Sequence, residues 1–336
     1  MELMMTALQG GLGSLASYLA AHVLLCLVPA FFIAGALSAL VPQQSIIRFL
    51  GPDAPKWVSY PAAAGAGSLL AVCSCTIQPL FAGIYKKGAG LGPAITFLFF
   101  APAGNILALS YTGVALGADF AIARILLALS FGIGIGLIMA ALFRAGEATR
   151  VADSQTFAQG EAIPGKTLWF LGLLIALLLA GTLKLDFLNA ALLRAELSSP
   201  AAVSLQALLD RWVPANAAVG AEGLSVQGAV LIALLAVIGG VAWRGLGQIE
   251  NGFNRLTPIA LLLTALTLVF AALGMRVSEA GIVLTVSGRT LAVAVLCAAL
   301  WPLARRFDAW DVQQWLWETW RFVKQIFPLL IVGVFL

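Results

Sequence analysis

Residues Trp57–Tyr111 read WVSYPAAAGAGSLLAVCSCTIQPLFAGIYKKGAGLGPAITFLFFAPAGNILALSY. The stretch is apolar enough to lie in lipid, yet it is interrupted at Cys73-Ser-Cys-Thr-Ile-Gln-Pro79 and at Ala101-Pro-Ala-Gly-Asn105. In a bilayer every backbone N–H and C=O needs a partner, so Pro, Gly and polar side chains at membrane depth persist only where they line a cavity or rest on protein. Two broken helices set side by side are the usual build of a transporter's substrate site. The stretch therefore predicts transmembrane helices 2 and 3, broken at Cys73–Pro79 and Pro102–Asn105, with the two breaks adjacent near mid-membrane.

The rest of the chain agrees with that class. Of 336 residues, 61% are hydrophobic and only 10% charged, and the mean hydropathy is +1.00, too apolar for a soluble domain of this length. The fold class expected is an all-α polytopic membrane protein with about eight complete transmembrane helices and a partial ninth. The net charge of +4 does not point to nucleic acid, because the Lys and Arg stand singly between apolar runs rather than in a cluster. Cys26, Cys73, Cys75 and Cys297 all lie inside apolar segments, which argues against an extracellular disulfide framework.

From Leu12 to Val41 an apolar run with Pro29 near its middle predicts a long, tilted or kinked helix 1. His22, the only histidine, and Cys26 are four apart and share a face. They read either as packed interior side chains or as a ligand or proton-relay position. Pro42–Lys56 reads as a polar loop, and helix 2 ends at Lys86-Lys87-Gly88. Helix 4 runs over Asp119–Phe143, with Arg124 near enough to its start to snorkel, and Gly132 and Gly136 give a small-xxx-small packing face. After the polar linker 144–166, helices are expected at Thr167–Leu185, Ser225–Trp243, Leu256–Leu273 and Gly281–Leu303, with a short amphipathic helix at Ala201–Val213. The stretch Asp308–Gln325 carries Trp310, Trp315, Trp317 and Trp320 among charges and reads as an interfacial helix leading into a span. Only about 11 residues follow, roughly half a crossing, and Phe327-Pro328 through Gly333 echoes Val28-Pro29 through Gly35. A second copy of the first block is expected to begin there and to continue in the parent reading frame.

Of 19 Lys and Arg, eleven fall in loops on one side of this layout and five on the other. The positive-inside bias puts the eleven, among them Lys86, Lys87, Arg144 and Arg244, in the cytoplasm. The N-terminus is then cytoplasmic and the protein a multi-pass component of the cell membrane.

The run CSCTIQPLFAGIYKKGAGLGPAITFLFFAPAGN, followed by IARILLALSFGIGIGLIMAALFR, resembles the predicted-permease family that includes the ArsP organoarsenical efflux permeases. The Cys-Ser-Cys, Gly-Ala-x-Leu-Gly and Pro-x-x-Asn elements occur in order over roughly Leu12–Arg144, and the match resumes near Trp310. The resemblance implies a permease with two related halves, with Cys73, Cys75, Pro79, Pro102 and Asn105 in the motif positions. It divides the chain into a first repeat of four transmembrane helices at 12–143, a cytoplasmic linker at 144–166, a four-helix transmembrane insertion at 167–308, and the interfacial helix and start of a second repeat at 309–336. The sequence departs from relatives at Gly104, where an apolar residue is frequent.

The candidate substrate-binding or translocation residues are Cys73, Cys75, Thr76, Gln78, Pro79, Pro102, Asn105, His22 and Cys26. On a regular helix Cys73 and Cys75 point about 200° apart and converge only where the helix unwinds, which Gln78-Pro79 favours. Two thiolates, joined by Cys26, suit a soft species such as a trivalent arsenical or a monovalent metal ion. The plainer reading makes both cysteines small buried apolar residues. Thr76, Gln78 and Asn105 are expected to hydrogen-bond released backbone in either case. No Walker motif, catalytic triad or intramembrane carboxylate pair is visible, so the expectation is a secondary permease, not an enzyme, with no cofactor. Its partners are a small-molecule or ion substrate and the lipid bilayer. The alternative is a transmembrane thiol–disulfide carrier using Cys26 and Cys75, each close before a proline.

Overall fold

The computed structural model describes the chain except residues 1–9, 12, 14, 17, 53, 70–73, 106–107, 110–111, 114–115, 145, 147–163, 183–189, 214–223, 248, 250–251, 279–280 and 336, and except the side chains of 21–23, 43–45, 69, 74–76, 197, 201, 212 and 335. His22, Cys75 and Thr76 are therefore placed by their backbone alone, and Cys73 lies outside the described residues. The chain divides into two compact units. One comprises Ala30–Leu183 with Leu303–Phe322, the other Met1–Pro29, Lys184–Pro302 and Val323–Leu336.

The unit that carries the motif stretch contains α2 (Val28–Leu40), α3 (Gln43–Leu50), α4 (Lys56–Leu69), α5 (Ser74–Lys86), α6 (Leu91–Ala103), α7 (Ala118–Leu142) and α8 (Gly165–Thr182). Helix α6 is its centre, packed against α4, α5 and α7. The sequence LGPAITFLFFAPA is apolar on every face, the pattern of a helix surrounded by protein, and eight of its residues are buried. Its 13 residues span roughly 20 Å, short of a hydrocarbon core of about 30 Å.

Helix α7 is the opposite case. It runs 25 residues without a break, and only Gly132 and Gly136 are buried on it. These glycines let α7 approach α6 closely. A Cβ on Gly136 would stand 2.6 Å from the Gly92 carbonyl oxygen and 2.5 Å from Thr96 Oγ1, whereas one on Gly132 would meet nothing nearer than 3.7 Å. The Thr96 hydroxyl is shared at 3.1 Å between the carbonyls of Gly92 on its own helix and Gly132 on α7. The small-residue face read from the sequence is thus a real contact, tight at Gly136 and loose at Gly132.

The tryptophan-rich segment and the last apolar run form one continuous helix, α13 (Ala309–Phe335), whose first half belongs to this unit. Trp315, Leu316, Thr319, Trp320 and Phe322 are buried there. Trp315 Nε1 donates to the Phe32 carbonyl at 2.9 Å, its ring meets Phe170 of α8 edge-on at 4.8 Å, and Thr319 occupies the space a Cβ on Gly35 of α2 would need. Lys86 at the end of α5 pairs with Glu318 at 2.8 Å and lies 4.4 Å over the Phe322 ring.

The second unit holds α1 (Leu19–Leu27), which has the wider π-helical coil, α9 (Pro200–Trp212), α10 (Val226–Gly245), α11 (Leu256–Ala272) and α12 (Gly288–Ala304). It also holds a three-stranded antiparallel sheet in the order β1-β3-β2, with β1 at Ala191–Leu197, β2 at Gly274–Ser278 and β3 at Gly281–Ser287. The sequence reading had no sheet and extended a helix over Gly281–Leu303. Residues 281–287, GIVLTVS, are rich in β-branched side chains and pair with β2 and with β1, some 90 positions upstream, so the helix begins only at Gly288. The expected helix at Ala201–Val213 is present as α9, and α3 occupies part of the expected loop at 42–56. Gln227 ties the end of α11 to the sheet: its Nε2 donates to the carbonyls of Phe270 (3.0 Å) and Leu273 (2.7 Å), and its Oε1 accepts from Met275 N at 3.3 Å.

Among the described residues, α7, α8 and α10 are long and apolar enough to cross a membrane, and apolar helices of 10–17 residues lie at Leu24–Leu40, Leu91–Ala103, Leu256–Ala272 and Gly288–Ala304. The predominantly helical, membrane-embedded class is as expected, with the sheet as an addition.

Candidate functional site: a stapled break in a buried helix

Helices α5 and α6 are joined by only residues 87–90, so they pack as an antiparallel hairpin. The turn is a Schellman cap: Ala89 N donates to Ile84 O (3.2 Å), Gly88 N to Tyr85 O (3.1 Å), and Gly88 has φ +91°, which costs a glycine nothing. This geometry places the start of α5, at Ser74 and Cys75, beside the end of α6, at Pro102 and Ala103. Helix α4 arrives at the same level, since a Cβ on Gly67 would stand 3.1 Å from Ala101 N.

Helix α6 stops at Ala103, and the last four carbonyls of a helix have no partner within it. Here all four are met. Gly104 N donates to Phe100 O at 2.7 Å. Asn105 Nδ2 donates to Ala101 O at 3.0 Å and to Pro102 O at 3.4 Å. Arg124 Nε, from α7, donates to Ala103 O at 2.8 Å. On its other side Asn105 Oδ1 accepts from Ala108 N at 2.8 Å, and its main-chain carbonyl accepts from Leu109 N at 3.0 Å, the pattern of a helix N-cap. One amide thus closes the end of one helix and opens the next turn, a task that needs a donor and an acceptor on one short side chain. Asn105 is only 6% exposed.

Arg124 was read from the sequence as a snorkelling residue. Instead its guanidinium turns to the C-terminal end of α6, where the helix dipole favours a cation, and Nη1 donates to Thr112 Oγ1 at 2.9 Å. Thr112 in turn donates to Ala108 O at 2.7 Å. Arg124 and Thr112 are the residues of this site that the sequence reading missed. The available signal was a lone cation six residues into an apolar helix.

The first break differs from its expectation. Residues Cys75–Pro79 are not unwound: they belong to α5, which begins at Ser74. Pro79 lies inside that helix and, having no N–H, leaves the Cys75 carbonyl without its usual partner. Pro79 is buried and Gln78 exposed. Cys26 is half-buried on α1 and in no disulfide; α1 also carries the His22 backbone, and both belong to the other compact unit. Among the described residues no three His, Cys, Asp or Glu side chains converge as a metal site would require. At the far end of the hairpin burial pushes the Lys87 ammonium below its ordinary range, with Glu318 opposing the shift.

A central helix broken inside protein, with every freed carbonyl answered, defines the class: a multi-pass membrane protein of transporter build. The chain belongs to the predicted-permease family ArsP_1, whose family model matches residues 10–336. A curated relative, a UPF0718 protein of Methanocaldococcus jannaschii, is 44% identical over 150 residues, which are 45% of this chain and 41% of that protein. The chain thus matches well under half of that relative's length. No solved structure matches it.

Proposed function

We propose that this permease is a secondary transporter that exports a small thiol-reactive or anionic solute, such as a trivalent organoarsenical or a metal ion, across the cytoplasmic membrane. The observation that carries the reading is the capped break at Ala101–Asn105 beside the start of α5. Irregular backbone at membrane depth is kept where it is buried in protein or lines a cavity, and transporters place their solute sites at such breaks. Cys75 lies in the first turn of α5, Cys73 precedes it by two positions in the sequence, and the pair would supply soft donors, each thiol giving up its proton as it takes an arsenic or metal centre. The family membership supports transport, and the thiol pair supports the choice of solute.

The test is uptake into inverted membrane vesicles carrying the complete gene product, challenged with trivalent and pentavalent arsenicals and with monovalent and divalent metal ions. Energy-dependent accumulation of a thiophilic solute above vesicles lacking the protein is expected. Accumulation of none of them would overturn the proposal.

A further inference from the structure

Arg124 is more than a cap. It uses Nε and Nη1 on Ala103 and Thr112, which leaves Nη2 with no protein acceptor among the described residues. No described carboxylate forms an ion pair with it. Asp119, the one acid on α7, is five residues away and hence about 140° around the helix. The guanidinium opens on a groove between α6 and α7 of about 570 Å³, lined by Phe99, Thr112, Phe120, Leu127 and Phe131 besides Arg124. That volume is within the range of about 300–1,000 Å³ that binding sites occupy. The walls are strongly apolar and open outward: Phe120 and Phe131 are 62% and 63% exposed. A cation inside an apolar helix is costly unless something answers its charge, and here the protein answers only with neutral oxygens.

We propose that this groove binds an anionic phospholipid from the bilayer, its phosphate on the free face of Arg124 and an acyl chain along Phe99, Leu127 and Phe131. Charge and shape select this occupant together. The guanidinium fork matches a phosphate, and the aromatic walls give an acyl chain apolar surface while offering an aqueous anion nothing. Arg124 lies six residues, roughly 9 Å, from the start of α7, a depth at which a headgroup and the upper part of its chains can both be reached. The inference is independent of the transported solute.

The test is native mass spectrometry of the purified protein in mild detergent, titrated with phosphatidylglycerol, with phosphatidylcholine of the same chains, and with glycerol 3-phosphate. One Lys or Arg near a charged lipid is worth about five-fold in binding, so phosphatidylglycerol is expected to bind at least about five-fold tighter than phosphatidylcholine. Arg124→Gln should bring the two lipids together. Because that variant also uncaps Ala103, Ala128→Trp serves as the second variant: it fills the groove from its wall, leaves the Arg124 bonds in place, and should abolish the preference as well. Equal binding of the two lipids by the unaltered protein would overturn the proposal. So would a preference that survives Ala128→Trp, or displacement by glycerol 3-phosphate, which would mark an aqueous anion site.

Discussion

Replacing Asn105 by Ala removes one amide with three partners, of which the long contact to Pro102 O is the weakest. The buried carbonyl of Ala101 loses its donor and the half-buried N–H of Ala108 loses its acceptor, and Asn105 itself is buried away from water. An unsatisfied buried group costs about 1–3 kcal/mol, so the pair predicts a loss of about 2–6 kcal/mol. At roughly 2–4 °C per kcal/mol for a chain of this size, the melting temperature should fall by at least about 4 °C. Thr112→Val is the internal comparison. It deletes one hydroxyl that links Arg124 to Ala108 O, leaves Ala108 O to its helix, and should cost only about 1 kcal/mol. The assay is fluorescence-detected size exclusion after heating, on detergent-solubilised protein. Asn105→Ala no less stable than Thr112→Val would refute the reasoning, because it would mean that water already serves the broken helix end and the amide staples nothing.

Three further outcomes are expected. Gly136→Ala drives a Cβ to 2.6 Å from the Gly92 carbonyl and should cost about 1–3 kcal/mol by overpacking, while Gly134→Ala, with nothing within 4 Å, should be neutral or slightly stabilising; equal melting temperatures for the two would dismiss the α6–α7 contact. Lys87→Met should be more stable than the unaltered protein near neutral pH, because burial lowers the Lys87 pKa. With the folded pKa below the unfolded one, the unfolded state holds more protons between the two values, so the unaltered protein gains stability as pH rises through that window and the variant's advantage shrinks; an advantage that grows with pH would contradict this. A cysteine placed at exposed Gln78 in a background free of native cysteines should react with a membrane-impermeant maleimide, and one at buried Ile77 should not; reaction at 78 with lipid-soluble reagent alone would turn that face to lipid.

Much of the motif unit is legible in the sequence because its signals are local. Pro102 and Asn105 announce the end of α6, and Gly132 with Gly136 announces the buried face of α7. What escaped depends on distant partners. Whether Arg124 reaches toward headgroups or toward Ala103 is decided by where α6 ends, which spacing along α7 does not encode. The strand at 281–287 is an apolar run continuous with α12, and periodicity alone does not separate a buried strand from a helix start; its partner β1 is fixed only by the fold. Pro79 looked like a breaker, yet α5 accommodates it by forgoing one hydrogen bond.

The central claim, that the broken end of α6 and the cysteines at the start of α5 form a solute path, is tested most directly by transport in inverted vesicles with Cys73 and Cys75 both changed to Ser. Serine keeps the side-chain size and loses the soft donor. The account predicts that a trivalent organoarsenical accumulates with the unaltered protein and falls to the level of protein-free vesicles with the double variant, at equal expression and melting temperature. Undiminished transport by the double variant would contradict it.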